Sequence, residues 1–217
     1  MSAQMTLMMK VDSVSPQQDR AGRYLVRFDD GSTMRLYRQT VQDFSLYAGA
    51  ELTDEQKSAL DRAAGAMSAK MRAVRIVSAT SVSKQELERR LIQKGEDAVY
   101  AYQAVAWMCE HSLVDDRKTA EQIVERCISR GYGISRAKQA LYEKRIPKQY
   151  WDEVLADYPD QMEAIISFLR GKLPEDFQRR DLQKAIEALI RRGHSYPDIR
   201  RGLEQLSLDT DDFPEET

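Results

Sequence analysis

A short helix ending recurs three times along the chain, and this repeat constrains the fold more than any other feature. With Leu91, Leu141 and Leu189 superposed, an apolar residue stands four positions earlier and a basic residue three positions later in every copy. These positions are Leu87, Ala137 and Ala185, and Lys94, Lys144 and Arg192. The copies lie roughly fifty residues apart, a period typical of stacked helical units that cannot bury their apolar faces alone.

The position after each basic residue is Gly95, Arg145 or Gly193. Glycine is favoured just beyond a helix end because the chain often turns there through the left-handed region. Two copies follow this rule, and Arg145 departs from it.

The stretch Leu113–Leu141 holds one helix, a glycine break and the start of another helix. Asp115 and Asp116 are suited to cap the first helix, and Ala120, Val124 and Cys127 recur at helical spacing after them. Gly131 and Gly133 are expected to end this helix and permit a tight re-entry into a short basic helix.

Alternating residues in the first part of the chain predict strands at Leu7–Val14, Arg23–Asp29 and Thr33–Leu36, with a turn at Asp29–Gly31. A capping-box pattern at Thr53–Gln56 opens a long helix, which we expect to bridge the sheet and the repeats. Further helices are predicted to start at Ser83 and Ser195. Between them, an inward stripe of the next helix is expected at Val99, Tyr102, Val105, Ala106 and Cys109.

The predicted fold is therefore mainly α, with tandem three-helix repeats in an elongated array and a small N-terminal β-hairpin or three-strand extension. The expected divisions are a β-rich extension at 1–52, a bridging helix with the first repeat at 53–114, the second repeat at 115–159, the third repeat at 160–206, and an acidic disordered tail at 207–217.

Composition excludes several classes of protein. Two cysteines, Cys109 and Cys127, are too few for a secreted disulfide framework and are expected to be reduced. No apolar run approaches the ~20 residues of a membrane helix, and the first ten residues lack a signal-peptide layout. We expect a cytoplasmic protein.

Charge is unevenly distributed. Residues 117–202 hold 18 Lys or Arg against 13 Asp or Glu, whereas residues 203–217 hold six acids and no base. This predicts a basic helical region that binds phosphates or an acidic partner, and an acidic tail that could cover that basic region. Ordinary solvated helix faces explain the charge equally well.

Candidates for catalysis are few. His111 and His194 stand far apart, and Cys109 with His111 lacks the other ligands of a zinc site. The Gly131–Gly133 segment lacks the Lys-Ser/Thr ending of a phosphate-binding loop. We therefore expect no catalytic, cofactor or metal site and no enzymatic activity.

The functional candidates are basic residues of the second and third copies, although any one of them alone is more often simply solvated. They could contact phosphates or carboxylates, and Tyr132, Tyr142, Tyr150 and Tyr196 could stack on bases, although such tyrosines more often complete a core. The candidate set is Arg136, Lys138, Lys144, Arg145, Arg179, Arg180, Lys184, Arg191, Arg192, Arg200 and Arg201.

The order and spacing of these motifs resemble the RecX family of RecA regulatory proteins. The resemblance rests on Leu113–Asp116, Ala120, Arg130–Gly133 and Gln139–Leu141, and it extends over the repeats and the N-terminal strands up to about Leu206. The chain departs from the family pattern at Thr119, where an aromatic residue is usual, and at Arg145, where glycine is usual.

The resemblance implies a regulator that binds the RecA filament on single-stranded DNA and restrains ATP hydrolysis, strand exchange and repressor cleavage. RecA would be the main partner and single-stranded DNA a weak, secondary one, with no membrane partner and a monomeric state. A helix-turn-helix-like module that binds DNA without a recombinase is the alternative, and composition would equally allow a plain scaffold.

Overall fold

The computed structural model describes residues 8–19, 21–174 and 176–206. The chain divides into two compact units, the first comprising Met1–Thr80 and Leu87–Val114 and the second Ser81–Glu86 and Asp115–Thr217. The described residues are mainly helical with a small N-terminal sheet, which confirms the predicted fold class. The finer division into repeats stays a prediction. Leu7 and the acidic tail at 207–217 lie outside the described residues.

The sheet of the first unit has the order β3-β2-β1-β4 and is antiparallel throughout. Its strands are β1 (Met8–Pro16), β2 (Arg23–Phe28), β3 (Thr33–Tyr37) and β4 (Glu51–Thr53). Val11, Val26 and Leu36 are fully or almost fully buried on its inner face. The predicted hairpin is present, whereas β4 was not predicted because three residues are too few to show an alternating pattern.

Two helices complete this layer, α1 (Arg38–Asp43) and α2 (Asp54–Ala79). The predicted capping box is confirmed: Thr53 Oγ1 accepts a hydrogen bond from the Gln56 amide at 3.2 Å, and Gln56 Oε1 accepts one from the Thr53 amide at 2.9 Å. The helix packs against strands of the sheet and against a later helix.

That later helix is α4 (Ala98–Glu110), which follows α3 (Lys84–Gln93). The predicted inward stripe of α4 is partly wrong, because Val99 and Tyr102 are 60% and 66% exposed. The buried positions are instead Ala101, Ala104, Val105 and Met108. Small alanines face inward because α4 lies close to α2, where a Cβ added to Gly65 would stand 2.3 Å from the Tyr100 ring.

Helices also make up the second unit. They are α5 (Asp116–Ser129), α6 (Ile134–Glu143), a 3₁₀ turn (Lys148–Tyr150), α7 (Trp151–Leu155), α8 (Met162–Lys172), α9 (Arg179–Arg191) and α10 (Tyr196–Gln205). One apolar cluster joins residues of α5, α6 and α7, including Ala120 and Leu141. Another joins residues of α8, α9 and α10, including Leu169 and Leu189.

The repeated positions have the same environment in each copy. Leu91, Leu141 and Leu189 have no exposed surface. The following glycine position adopts a left-handed backbone in every copy, with φ of +88° at Gly95, +55° at Arg145 and +86° at Gly193. Arg145 therefore keeps the turn that glycine makes easily, at a conformational cost of about 1–2 kcal/mol.

The predicted helix starts are also confirmed. Asp115 Oδ1 accepts a hydrogen bond from the Lys118 amide at 3.1 Å, and Ser195 Oγ accepts one from the Asp198 amide at 3.2 Å. Thr119 is buried, and its hydroxyl donates to the Asp115 carbonyl at 2.8 Å. The hydroxyl that replaces the usual aromatic residue is thus satisfied inside the second unit.

Candidate phosphate-binding surface

The predicted basic residues all lie in the second unit, on three helices and their ends. Arg136 and Lys138 lie on α6, and Lys144 and Arg145 follow its last residue. Arg179, Arg180, Lys184 and Arg191 lie on α9, with Arg192 at its C-terminal end, and Arg200 and Arg201 lie on α10. Most are exposed, whereas Arg136, Lys144 and Arg192 are half-buried.

The structure brings three of these residues together. Arg136 of α6 and Arg191 and Arg192 of α9 line one cleft of about 300 Å³. The remaining lining residues are Tyr132, Phe168, Lys172 and Ala188. We call this set of seven residues the basic cleft. It gathers four cationic side chains and two aromatic rings from segments that are far apart in sequence.

A close backbone contact sets the position of α6 against the end of α9. The Gly133 amide donates to the Arg192 carbonyl at 3.0 Å. A Cβ on Gly133 would stand 2.0 Å from the Gly193 carbonyl oxygen, and one on Gly193 would stand 2.3 Å from the Arg136 nitrogen. We call this contact of Gly133 with Gly193 the glycine crossing. It places Arg136 beside Arg192 because no side chain separates the two backbones.

His194, next to Gly193, adds a side-chain hydrogen bond to the same contact. Its Nε2 lies 3.1 Å from the Gly131 carbonyl oxygen, and since a carbonyl only accepts, this nitrogen donates. Burial lowers the pKa of His194, against the opposing effects of the Gly131 carbonyl and the Asp198 carboxylate. The histidine therefore has a structural role as a neutral hydrogen-bond donor.

The cations of the basic cleft are held only loosely by carboxylates. Arg136 Nη1 lies 3.2 Å from Glu143 Oε1, and Arg191 Nη1 lies 3.8 Å from Glu187 Oε2. The side chains in both pairs are at least 39% exposed. Ion pairs this exposed contribute about 0–1 kcal/mol, so an incoming anion can replace either carboxylate at small cost.

Arg192 is positioned by an aromatic ring rather than by a carboxylate. Its guanidinium carbon lies 4.3 Å from the centroid of the Phe168 ring. A guanidinium stacked in this way keeps its in-plane N–H groups available for phosphate or carboxylate oxygens. Phe168 and Arg192 together thus present a flat cationic surface on one wall of the cleft.

Other candidates do not reach the basic cleft. Arg145 Nε lies 3.4 Å from Glu86 Oε2, whose side chain is only 7% exposed, and lines a separate cavity with Tyr142, Lys148 and Trp151. Arg145 is thus 46% exposed and paired with a buried carboxylate of its own unit, which gives it a structural role whether or not it also binds a partner.

The α10 arginines are paired with acids. Arg200 Nε lies 3.2 Å from Glu204 Oε1, and Arg201 is bridged to Asp198 and, at 3.7 Å, to Asp160. The Ser195 hydroxyl and Arg201 hold the pKa of the Asp198 carboxyl below its ordinary value. These pairs leave less unbalanced positive charge at α10 than at the cleft.

The α9 residues outside the cleft, Arg179, Arg180 and Lys184, are exposed, as is Lys138 on α6. Lys184 Nζ lies 4.0 Å from Asp181 Oδ1. Lys138 and Arg180 form no ion pair with any described residue, so they add unbalanced positive charge to this face of the second unit.

Phe168 and Lys172 were not among the functional residues predicted from the sequence. Both lie on α8, four positions apart, which places them on one face of that helix. The helical spacing of an aromatic and a basic residue was the available signal, but its meaning depends on Arg192, which stacks on the ring from another helix.

The thiols and imidazoles give no metal site within the described residues, since no group of three or more His, Cys, Asp or Glu converges there. Cys109 and Cys127 form no disulfide with a described residue, and burial raises the pKa of the Cys127 thiol. Over the same residues, no helix combines the length and apolar character needed to cross a membrane.

The fold and the cleft define a mainly helical protein with a small N-terminal sheet and a basic, aromatic-lined surface on its second unit. No family model matches the chain. Among curated proteins, it is 24% identical over 215 residues to regulatory protein RecX of Clostridioides difficile, covering 96% of this chain and 99% of that protein. It is 25% identical to regulatory protein RecX of Vibrio parahaemolyticus, covering 65% of this chain and 94% of that protein.

Solved structures agree in fold. A crystal structure of regulatory protein RecX matches with a TM-score of 0.61 at 20% identity, covering 89% of this chain and 99% of the other. The resemblance to the RecX family that was predicted from the sequence is thereby confirmed.

Proposed function

We propose that this protein regulates the RecA recombinase by binding the RecA filament on single-stranded DNA and lowering its ATPase, strand-exchange and coprotease activities. The observation that carries the proposal is the likeness to regulatory proteins named RecX over nearly the whole chain. In this proposal the protein acts as a cytoplasmic monomer, catalyses no reaction and needs no cofactor. RecA is its main partner, and single-stranded DNA is a weaker one.

The charges of the second unit support the proposal. A filament on DNA presents phosphates and protein carboxylates, and the guanidinium group binds both with two parallel hydrogen bonds. Arg179 and Arg180 of α9, outside the cleft, and the cleft arginines supply such groups on one unit. Their exposed ion pairs exchange readily for those of a partner.

The first experiment is a titration of the protein into RecA that hydrolyses ATP on single-stranded DNA. We expect the rate to fall at substoichiometric amounts, because one bound molecule interrupts contacts between neighbouring RecA protomers. Double variants map the surface: Arg191→Ala with Arg192→Ala removes cleft cations, and Arg200→Ala with Arg201→Ala removes the α10 pair. We expect the first to relieve inhibition more than the second, since Arg192 lies over Phe168 and has no ion pair with a described carboxylate, whereas Arg200 and Arg201 are each paired with one.

An unchanged ATPase rate at saturating protein would contradict the proposal. The alternative is a module that binds DNA directly without RecA. It predicts tight, sequence-selective duplex binding by the protein alone, whereas the RecA proposal predicts weak binding to naked single strands that falls steeply with salt, as expected for a few phosphate contacts. Fluorescence anisotropy at several salt concentrations separates the two.

A further inference from the structure

We propose that the basic cleft is a binding site for one nucleotide of a single-stranded nucleic acid, with the base against the Phe168–Arg192 stack and the phosphate on Arg136 and Arg191. The inference rests on the proposed function, because it names the site through which the weaker partner, the single strand, is held.

The aromatic lining distinguishes a nucleotide from a simple anion. A carboxylate-bearing peptide would need only the cations, and nothing in its chemistry requires rings beside them. The cleft includes Tyr132 and Phe168, both half-buried, next to four cationic side chains. Proteins that bind single strands combine such features, because bases stack on aromatic and guanidinium planes while cations hold the backbone.

Arg192 provides the stacking surface. Its guanidinium carbon lies over the Phe168 ring, 4.3 Å from the ring centroid, and the same residue lines the cleft. A base that packs against the other face extends this stack to three layers, ring, guanidinium and base. Ala188 is the smallest side chain in the lining and leaves room at this point.

The phosphate position follows from the remaining cations. Arg136 and Arg191 reach the cleft from α6 and α9, and each is paired with an exposed carboxylate that a phosphate can replace. Lys172 adds a further positive charge from α8. These groups act on a phosphate regardless of the base that it carries, so the site tolerates any sequence.

The size of the cleft restricts the ligand. Its volume of about 300 Å³ is at the lower end of small-molecule pockets. One unstacked nucleotide is of this size. A duplex keeps its bases paired and stacked, and reading it would require an element that enters a groove rather than a recess.

The test is fluorescence anisotropy of the full chain with two labelled probes, a short oligothymidine and an abasic strand of equal length. We expect Phe168→Leu to weaken oligothymidine binding by roughly fivefold or more and to leave abasic-strand binding unchanged. Arg191→Gln should weaken both probes. Lys184→Gln removes one charge from the same helix outside the cleft and serves as the matched control, with an effect of less than about twofold on either probe.

Because Phe168 also packs against the apolar cluster of α8, α9 and α10, a second variant guards against unfolding. Arg192→Lys keeps the charge and loses the planar group, so it should reproduce the selective loss of oligothymidine binding. Circular dichroism melts confirm that each variant is folded.

The site would be overturned if Phe168→Leu and Lys184→Gln had equal effects on oligothymidine binding. It would also be overturned if Phe168→Leu weakened the binding of the two probes equally. The same conclusion would follow if Arg191→Gln lost binding to a polyglutamate peptide but kept oligothymidine binding, since that result assigns the cleft to a protein partner. The failures are distinguishable: RecA inhibition without base-dependent binding rejects the site alone, and base-dependent binding without any effect on RecA ATPase rejects the regulator alone.

Discussion

The glycine crossing makes a sharp prediction, because the chain contains its own control. Gly95 and Gly193 occupy the same repeat position with φ of +88° and +86°. Alanine at Gly95 would meet no atom within 4 Å, so only the left-handed backbone costs energy, about 1–2 kcal/mol. Alanine at Gly193 would also place Cβ 2.3 Å from the Arg136 nitrogen, and relief of such overpacking adds about 1–3 kcal/mol. We expect Gly193→Ala to lower the free energy of unfolding by about 2–5 kcal/mol.

The assay is urea denaturation followed by tryptophan fluorescence. The sequence has two tryptophans, Trp107 in the first unit and Trp151 in the second. Variants in which one of them is replaced by Phe report on each unit separately. Gly193→Ala should lower the midpoint seen by Trp151, and Gly95→Ala should give the smaller shift seen by Trp107.

Gly133→Ala isolates the steric part of the effect. Gly133 has an ordinary φ of −72°, so alanine causes no backbone strain there, but its Cβ would stand 2.0 Å from the Gly193 carbonyl oxygen. We expect a loss of about 1–3 kcal/mol at Trp151 from the clash alone. Equal losses for Gly95→Ala and Gly193→Ala, together with a neutral Gly133→Ala, would refute the view that the two backbones are in tight contact.

Three further perturbations test local features of the second unit, each by urea denaturation with Trp151 as the probe. Arg145→Gly and Arg145→Ala both lose the ion pair with Glu86, but only glycine relieves the left-handed backbone strain. The Arg145→Gly variant should therefore be more stable than Arg145→Ala by about 1 kcal/mol, and equal stabilities would contradict the strain. Burial lowers the pKa of His194 in the folded chain, so below the unfolded-state pKa of about 6.5 the unfolded chain binds more protons, and stability decreases as the pH is lowered, by at most about 1.4 kcal/mol per pH unit. His194→Gln should flatten this dependence between pH 7.5 and 5, and an unchanged slope would assign it to other groups. Asp115→Ala removes the cap of α5 and should cost about 1 kcal/mol, whereas Asp115→Asn, which keeps an oxygen acceptor, should cost less.

Local features of the fold were predictable because their causes lie within a few residues of sequence. The Thr53, Asp115 and Ser195 caps each depend on a side-chain oxygen that accepts a hydrogen bond from the amide three residues later. The repeat at Leu91, Leu141 and Leu189 was visible for the same reason, since a helix end and its left-handed turn form one contiguous signal.

Helix orientation was less predictable. The apolar side chains of Val99 and Tyr102 indicated the inward face of α4, but packing against α2 places small alanines inside and leaves these two exposed. Apolar character shows that a residue is able to be buried. Which residues are buried depends on how closely the neighbouring helix approaches.

By itself, the sequence determined the helical class, the repeat, the main helix starts and a surplus of positive charge between residues 117 and 202. It did not show which of those charges act together. Only the tertiary structure brought Arg136 beside Arg191 and Arg192 and stacked Arg192 on Phe168, because these contacts join residues tens of positions apart through the crossing at Gly133 and Gly193. A pattern of local spacing does not predict such contacts, because they depend on how whole helices pack.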